Sequence, residues 1–123
     1  MTQRRLLTPA ILAGLLGLAA CAPQQPMLVQ QQQACDTSFR VVNASSGTVE
    51  RLYFSHASQS GWGNDQLGQN ILAPGRSTSY RAANVGAYDF RTVWANGRSA
   101  ELRRVNVCAA STITVTDQGL RAS

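Results

Sequence analysis

The chain has 123 residues, 44% of them hydrophobic, with eleven arginines, no lysine and six acidic residues, for a formal net charge of +5. That length gives room for one small domain and excludes a multidomain architecture. One histidine and three cysteines make a poor zinc site, because no histidine pair accompanies the cysteines.

Arg4 and Arg5 open a basic segment, and residues 6–20 form an apolar run broken only by Thr8 and Pro9. The run ends in Leu18-Ala19-Ala20-Cys21. It is shorter than the ~20 residues that span a bilayer. Two small residues before a cysteine resemble the lipobox of a bacterial lipoprotein signal peptide. The resemblance implies cleavage before Cys21, which then becomes a lipidated (palmitate-bearing) N-terminus. Residues 1–20 are therefore read as a signal peptide and kept out of the fold. Arg4-Arg5 also fits a twin-arginine export signal, so the Sec and Tat routes stay open. Ala22, rather than aspartate, after the cysteine favours outer-membrane sorting by analogy with enteric-type bacteria. The expected partner at this end is the membrane, reached through Cys21.

Removing Arg4 and Arg5 leaves nine arginines against six acids, about +3. That modest charge reads first as a solvated surface; the sharper reading is contact with anionic phosphate or carboxylate groups of the envelope, where arginine offers a planar fork of donors. The compartment argues against nucleic acid. With Cys21 lipidated, Cys35 and Cys108 remain as an even pair, and the periplasm permits a disulfide between them.

Residues 22–34 carry Pro23, Pro26 and six glutamines. This composition reads as a flexible tether from the lipidated cysteine to residue 36. As a coil it spans roughly 20 Å, which sets the domain close to the membrane surface.

From Thr37 the texture changes to short β-prone runs between turns. Residues 38–42 and 48–55 read as two strands joined by Asn43-Ala44-Ser45-Ser46-Gly47, and are expected to pair as a hairpin. Residues 56–70 are polar and glycine-rich, a long loop with one helical turn near Asp65. Ile71-Leu72 begins a short strand, Ala73-Pro74-Gly75 is a turn, and residues 77–82 form the next strand. Residues 88–94 alternate in the β manner, Asn96-Gly97 follows, and residues 98–107 return. Asn-Gly between β-prone runs predicts a two-residue hairpin. In that register the aromatics of one strand face polar residues of the other, so a bulge around Arg103-Arg104 is expected. Residues 111–116 alternate threonine with aliphatics as a final strand. Six to seven short strands without a helix predict an all-β domain over residues 37–119, a small antiparallel sandwich or barrel.

Several stretches together resemble a family of small exported proteobacterial domains of unknown function, some described only as Tat-pathway signal proteins. They are Leu52-Tyr53-Phe54-Ser55, Trp62-Gly63-Asn64-Asp65-Gln66-Leu67-Gly68, Leu72-Ala73-Pro74-Gly75-Arg76-Ser77, Tyr88-Asp89-Phe90-Arg91, Asn96-Gly97 and Val105-Asn106-Val107-Cys108. The resemblance covers about 70 residues and implies a compact β-fold with no known activity. Many members carry a cysteine just before the Tyr-Asp pair. This chain has Val85-Gly86-Ala87 there, which leaves Cys35 as the partner for Cys108.

Three places invite chemistry. The loop around Trp62, Asn64 and Asp65 is the candidate binding loop: Trp62 as a stacking platform or a lid, Asn64 and Asp65 as turn caps, partner contacts or oxygen ligands to calcium. The aspartate spacing of an EF-hand is absent. Asp89 lies in a strand, where aspartate is disfavoured. It is expected in an ion pair or bonded to loop amides, with Arg104 across the hairpin as the first candidate partner and Arg51, Arg76 or Arg81 from another strand as the second. His56 adjoins Ser55, but neighbouring strand residues face opposite ways. A hydrolase using His56 with a serine and Asp65 or Asp89 is the enzymatic alternative.

The leading expectation is a non-enzymatic, lipid-anchored envelope module of binding or structural role. Its partner is an envelope protein or a cell-wall glycan, and it needs no cofactor and no metal. A small periplasmic inhibitor of a cell-wall enzyme is a second alternative. Complementary steering counts against it for lysozymes, which are commonly cationic like this domain.

Overall fold

A computed structural model describes residues 35–123. The expected signal peptide, the expected lipidation site Cys21 and most of the expected tether lie outside the described residues. The described chain forms seven strands and no helix. They are β1 (Ser38–Asn43), β2 (Val49–His56), β3 (Ser77–Arg81), β4 (Ala87–Trp94), β5 (Ser99–Asn106), β6 (Thr112–Thr116) and β7 (Gly119–Ala122).

The strands form two sheets, one of order β3-β1-β6-β7 and one of order β2-β4-β5. This is the small β-sandwich of the sequence reading, with differences in pairing. β1 and β2 do not form a hairpin. β1 pairs with β3 antiparallel and with β6 in parallel, whereas β2 pairs with β4 in the other sheet. The turn between β1 and β2 is a sheet-switching corner built on Asn43. The side chain of this fully buried asparagine donates from Nδ2 to the carbonyls of Gly47 and Leu72, each at 2.8 Å. Its Oδ1 accepts from the backbone N–H of Ser45 at 3.0 Å and from the Ser45 hydroxyl. Trp94 Nε1 donates to the same hydroxyl at 2.9 Å. A buried polar group is tolerated when its bonds are made, and these bonds hold the corner between the sheets. Leu72 forms a single bridge to Val49 rather than a strand. β7 starts at the expected boundary, residue 119, runs past it to Ala122 and pairs with β6.

The core follows from strand alternation. Phe39 and Val41 of β1, Leu52 of β2, Tyr88, Phe90 and Trp94 of β4, and Ile113 and Val115 of β6 are buried between the sheets. Phe39 packs edge-on against Phe54 at 5.0 Å and Phe90 at 5.3 Å, and tilted against Tyr80 at 5.8 Å. Such aromatic pairs contribute ~0.5–1.5 kcal/mol each beyond the area they bury. Cys35 and Cys108, 73 positions apart in sequence, form a disulfide with Cα atoms 5.5 Å apart. It ties the entry of the domain to the end of β5.

Candidate functional site

The site is built on the outer face of the β2-β4-β5 sheet. Side chains alternate, so the residues between the buried ones point outward. On β4 the residues between the core-facing Tyr88, Phe90, Thr92 and Trp94 are Asp89, Arg91 and Val93, with Asp89 and Val93 covered by what packs on that face. The register sets Ser55 of β2 beside Asp89, Tyr53 beside Arg91 and Arg51 beside Val93. Glu101 of β5 completes the Tyr53–Arg91 row.

The β4–β5 hairpin reaches this alignment by two departures from a plain ladder. Trp94 accepts at its carbonyl from Gly97 N–H and donates to the Arg98 carbonyl, both at 2.9 Å. The loop therefore has three residues, with Gly97 at φ 89°, and not the two expected from Asn96-Gly97. A type I turn followed by a left-handed glycine has this length. The shift places Phe90 opposite Leu102 and Tyr88 opposite Val105, so apolar residues meet. The leftover residue is absorbed where the sequence demanded a bulge: Arg103 and Arg104 both stand across from Asp89. Arg104 takes φ 60° there.

Asp89 is 9% exposed, and its two oxygens have separate partners. Oδ1 accepts from the backbone N–H of Arg104 at 2.9 Å. Oδ2 accepts from the guanidinium of Arg103 at 3.2 Å. The ion-pair partner is thus Arg103, and Arg104 contributes its backbone in place of its side chain. The reason is the bulge, which frees one amide from the ladder and turns the Arg103 side chain onto the outer face. Arg103 also meets Glu101 at 2.8 Å, and Arg91 meets Glu101 at 2.9 Å. Glu101 first, and Asp89 after it, hold the Arg103 guanidinium above its ordinary pKa.

Trp62 lies over this network. The Arg103 guanidinium carbon is 4.7 Å from the Trp62 ring centroid. The Tyr53 ring is 6.5 Å from Trp62, inclined at 51°. Beside Trp62 is a shallow depression of about 480 Å³ lined by Arg51, Tyr53, Trp62, Arg91, Val93 and Gly97. Trp62 is half-buried, unlike Trp94, which is 3% exposed.

Asp65 fastens the Trp62 loop. Its Oδ1 accepts from the backbone N–H groups of Leu52 and Leu67, each at 3.0 Å. The amide of Gln66 returns a bond to the Leu52 carbonyl at 2.7 Å. The oxygen is engaged in loop anchoring on the edge of β2. Asn64 is exposed, and its carbonyl accepts from the Gln66 side chain at 3.3 Å. No group of three His, Cys, Asp or Glu side chains that could hold a metal occurs among the described residues.

His56 stands apart, at the end of β2. Its Nδ1 is 2.8 Å from the Ser58 hydroxyl and accepts from the Ser58 backbone N–H at 3.2 Å. Its Nε2 lies 3.3 Å from the Val85 carbonyl. The ring packs edge-on to Tyr88 at 5.2 Å and against Gly86, where a Cβ would come within 3.0 Å of Nε2. Both ring nitrogens thus have local partners, and neither of these is Asp65 or Asp89.

The sequence reading singles out Trp62, Asn64, Asp65 and Asp89, and Arg51 only as a second candidate partner for Asp89; it does not single out Tyr53, Arg91 or Arg103 as site residues. Strand parity was the available signal: if Phe54 and Phe90 face the core, Tyr53 and Arg91 face out together. No protein-family model, curated protein or solved structure matches the chain.

Proposed function

We propose that this chain is a lipid-anchored cell-envelope module that binds cell-wall glycan, without catalysis, on the outer face of the β2-β4-β5 sheet. The observation that carries the reading is the pairing of Trp62 and Tyr53 around one depression with Arg51 and Arg91. Pyranose rings present C–H faces that pack on aromatic rings, while their oxygens accept from planar guanidinium donors. The Asp89–Arg103–Glu101–Arg91 network holds this surface in place before a ligand arrives, which reduces the ordering cost of binding. The hydrolase alternative has weaker support, because the His56 nitrogens are engaged by Ser58 and Val85.

Two experiments test the reading separately. Replacing Cys21 by serine abolishes lipoprotein processing and detergent-phase partitioning if the chain is anchored; unchanged mass and partitioning would defeat the anchoring part. For the binding part, wild type and Trp62→Ala are co-sedimented with purified peptidoglycan sacculi. We expect at least a tenfold loss for Trp62→Ala, and quenching of Trp62 fluorescence by soluble muropeptides. Equal sedimentation of the two proteins would refute glycan binding at this face.

A further inference from the structure

The two outer faces of the sandwich differ in charge organisation. On the β2-β4-β5 side, Arg91 and Arg103 are neutralised by Glu101 and Asp89. The outward positions of the other sheet follow from its register. Arg40 of β1 stands beside Ser79 of β3 and Thr112 of β6. Arg81 of β3 stands beside Ser38, and Arg121 of β7 stands beside Thr114. The inward partners Phe39, Val41, Ile113 and Val115 are buried, which leaves this second set in solvent.

This face therefore carries three arginines within a field of serine and threonine hydroxyls. None of its outward strand positions is acidic. Arg40, Arg81 and Arg121 are all exposed, and none takes part in an ion pair among the described residues. Two carboxylates lie at the rim of this face: Asp117, in the turn between β6 and β7, and Asp36, just before β1. The Asp36 Oδ1 accepts the Ser38 amide at 2.9 Å. That amide, then the Ser38 hydroxyl and more weakly Arg81, hold its pKa below the usual carboxylate range.

From strand spacing, the three arginines spread over roughly 20 Å of open sheet. Charges converging on one point would suit a single small anion. Charges dispersed over an open face with hydroxyl donors between them suit a surface of many phosphates.

We infer that the outer face of the β3-β1-β6-β7 sheet docks on an anionic phospholipid membrane, with Arg40, Arg81 and Arg121 engaging lipid phosphates. The inference rests on the anchored reading for the nearness of a membrane. Ser38, on this face, lies three residues after Cys35, where the described chain begins. In this arrangement the domain lies on its cationic sheet and turns the Trp62 face away from the lipid. Each arginine near an anionic surface strengthens partitioning roughly fivefold, an effect that fades with salt.

The test uses the mature-length chain, residues 21–123 with Cys21→Ser throughout, so that neither lipidation nor the apolar residues 6–20 add to the measurement. Partitioning is measured on vesicles of phosphatidylcholine with and without 30 mol% phosphatidylglycerol, a chosen assay composition. The Arg40→Gln/Arg81→Gln/Arg121→Gln variant is compared with Arg51→Gln/Arg91→Gln on the opposite face. We expect the triple variant to lose about a hundredfold in its preference for anionic vesicles, and the opposite-face variant to keep it. The wild-type preference should fall steeply between low and physiological salt. Thermal melts of all proteins check that the fold is kept. Should the triple variant melt early, single substitutions losing about fivefold each carry the same test. Equal losses from both faces would overturn the inference, as would an anionic preference that survives in the triple variant. Binding of the face to a soluble polyanionic glycan with no vesicle preference would also overturn it. Failure of any of these leaves the sacculus and detergent-partition experiments standing, because their readouts involve neither Arg40, Arg81 and Arg121 nor vesicles.

Discussion

Asp89 grips two consecutive residues of the neighbouring strand, the Arg103 guanidinium through Oδ2 and the Arg104 amide through Oδ1. The first contact is half-open to solvent, since the Arg103 side chain is 57% exposed. The second replaces a ladder bond that the bulge removed. The second therefore matters more for stability, because a screened ion pair contributes little and an orphaned amide costs more.

Asp89→Ala should cost ~1–3 kcal/mol in urea unfolding, the range for leaving a part-buried donor unpaired. Asp89→Asn keeps an oxygen for the Arg104 amide and should cost less than about 1 kcal/mol. Equal losses for both substitutions would show that the charge, and not the amide cap, holds the bulge.

Arg104 adopts φ 60°, the only non-glycine residue with positive φ among those described. The left-handed region strains a residue with a Cβ by ~1–2 kcal/mol, and glycine's greater unfolded-state entropy returns part of that. Arg104→Gly should stabilise the domain by roughly 0.5–1 kcal/mol, whereas Arg104→Val should destabilise it. Thermal unfolding of both variants gives the two signs directly.

Thr92 sits fully buried in the middle of β4, and its hydroxyl has no hydrogen-bond partner. Thr92→Val preserves the branched shape and removes the desolvated hydroxyl. A gain of ~1 kcal/mol is expected by chemical denaturation. A loss would reveal a partner for that oxygen.

Asp117 holds the turn before β7 to the corner after β1. Its Oδ1 accepts the Ser46 amide at 2.8 Å and the Ser46 hydroxyl at 2.9 Å. Those two bonds, and Arg98 more weakly, lower its pKa. A depressed carboxylate binds fewer protons folded than unfolded. Its contribution is therefore full above about pH 4 and is lost as pH falls through the lowered folded value. Asp117→Asn should flatten the acid limb of the stability curve and leave its slope at neutral pH unchanged. Unfolding midpoints from pH 2 to 7 measure this.

Much of the fold was legible because alternation and turn residues survive in the sequence. Phe39 and Val41, Leu52 and Phe54, and Ile113 and Val115 mark strand faces with period two, and Asn96-Gly97 marks the hairpin. The clash of Phe90 with Arg103 in a plain register was itself the sign of the bulge at Arg103-Arg104. Pairing between sheets was less legible. β1 and β2 are adjacent in sequence and look like a hairpin, but the deciding contact is Asn43 with Leu72, twenty-nine residues away. β7 is only four residues long with two of them exposed, too short to announce itself. Asp89 was readable as a charge needing a partner. The choice between Arg103 and Arg104 depended on one left-handed residue that composition does not reveal.

The parallel pairing of β1 with β6 sets the order in which this domain is completed. Val41 waits for Ile113, and Cys35 waits for Cys108. A growing chain that lacks its last strands leaves β1 open on one edge, so the four-stranded sheet has no middle. Such distant pairings place folding in the slow, millisecond-to-second regime of β-proteins. Most of the chain must be made before the sheet has a stable form. The four-stranded sheet therefore closes only once residues 112–116 have been made, while the β2-β4-β5 sheet has all its partners by residue 106.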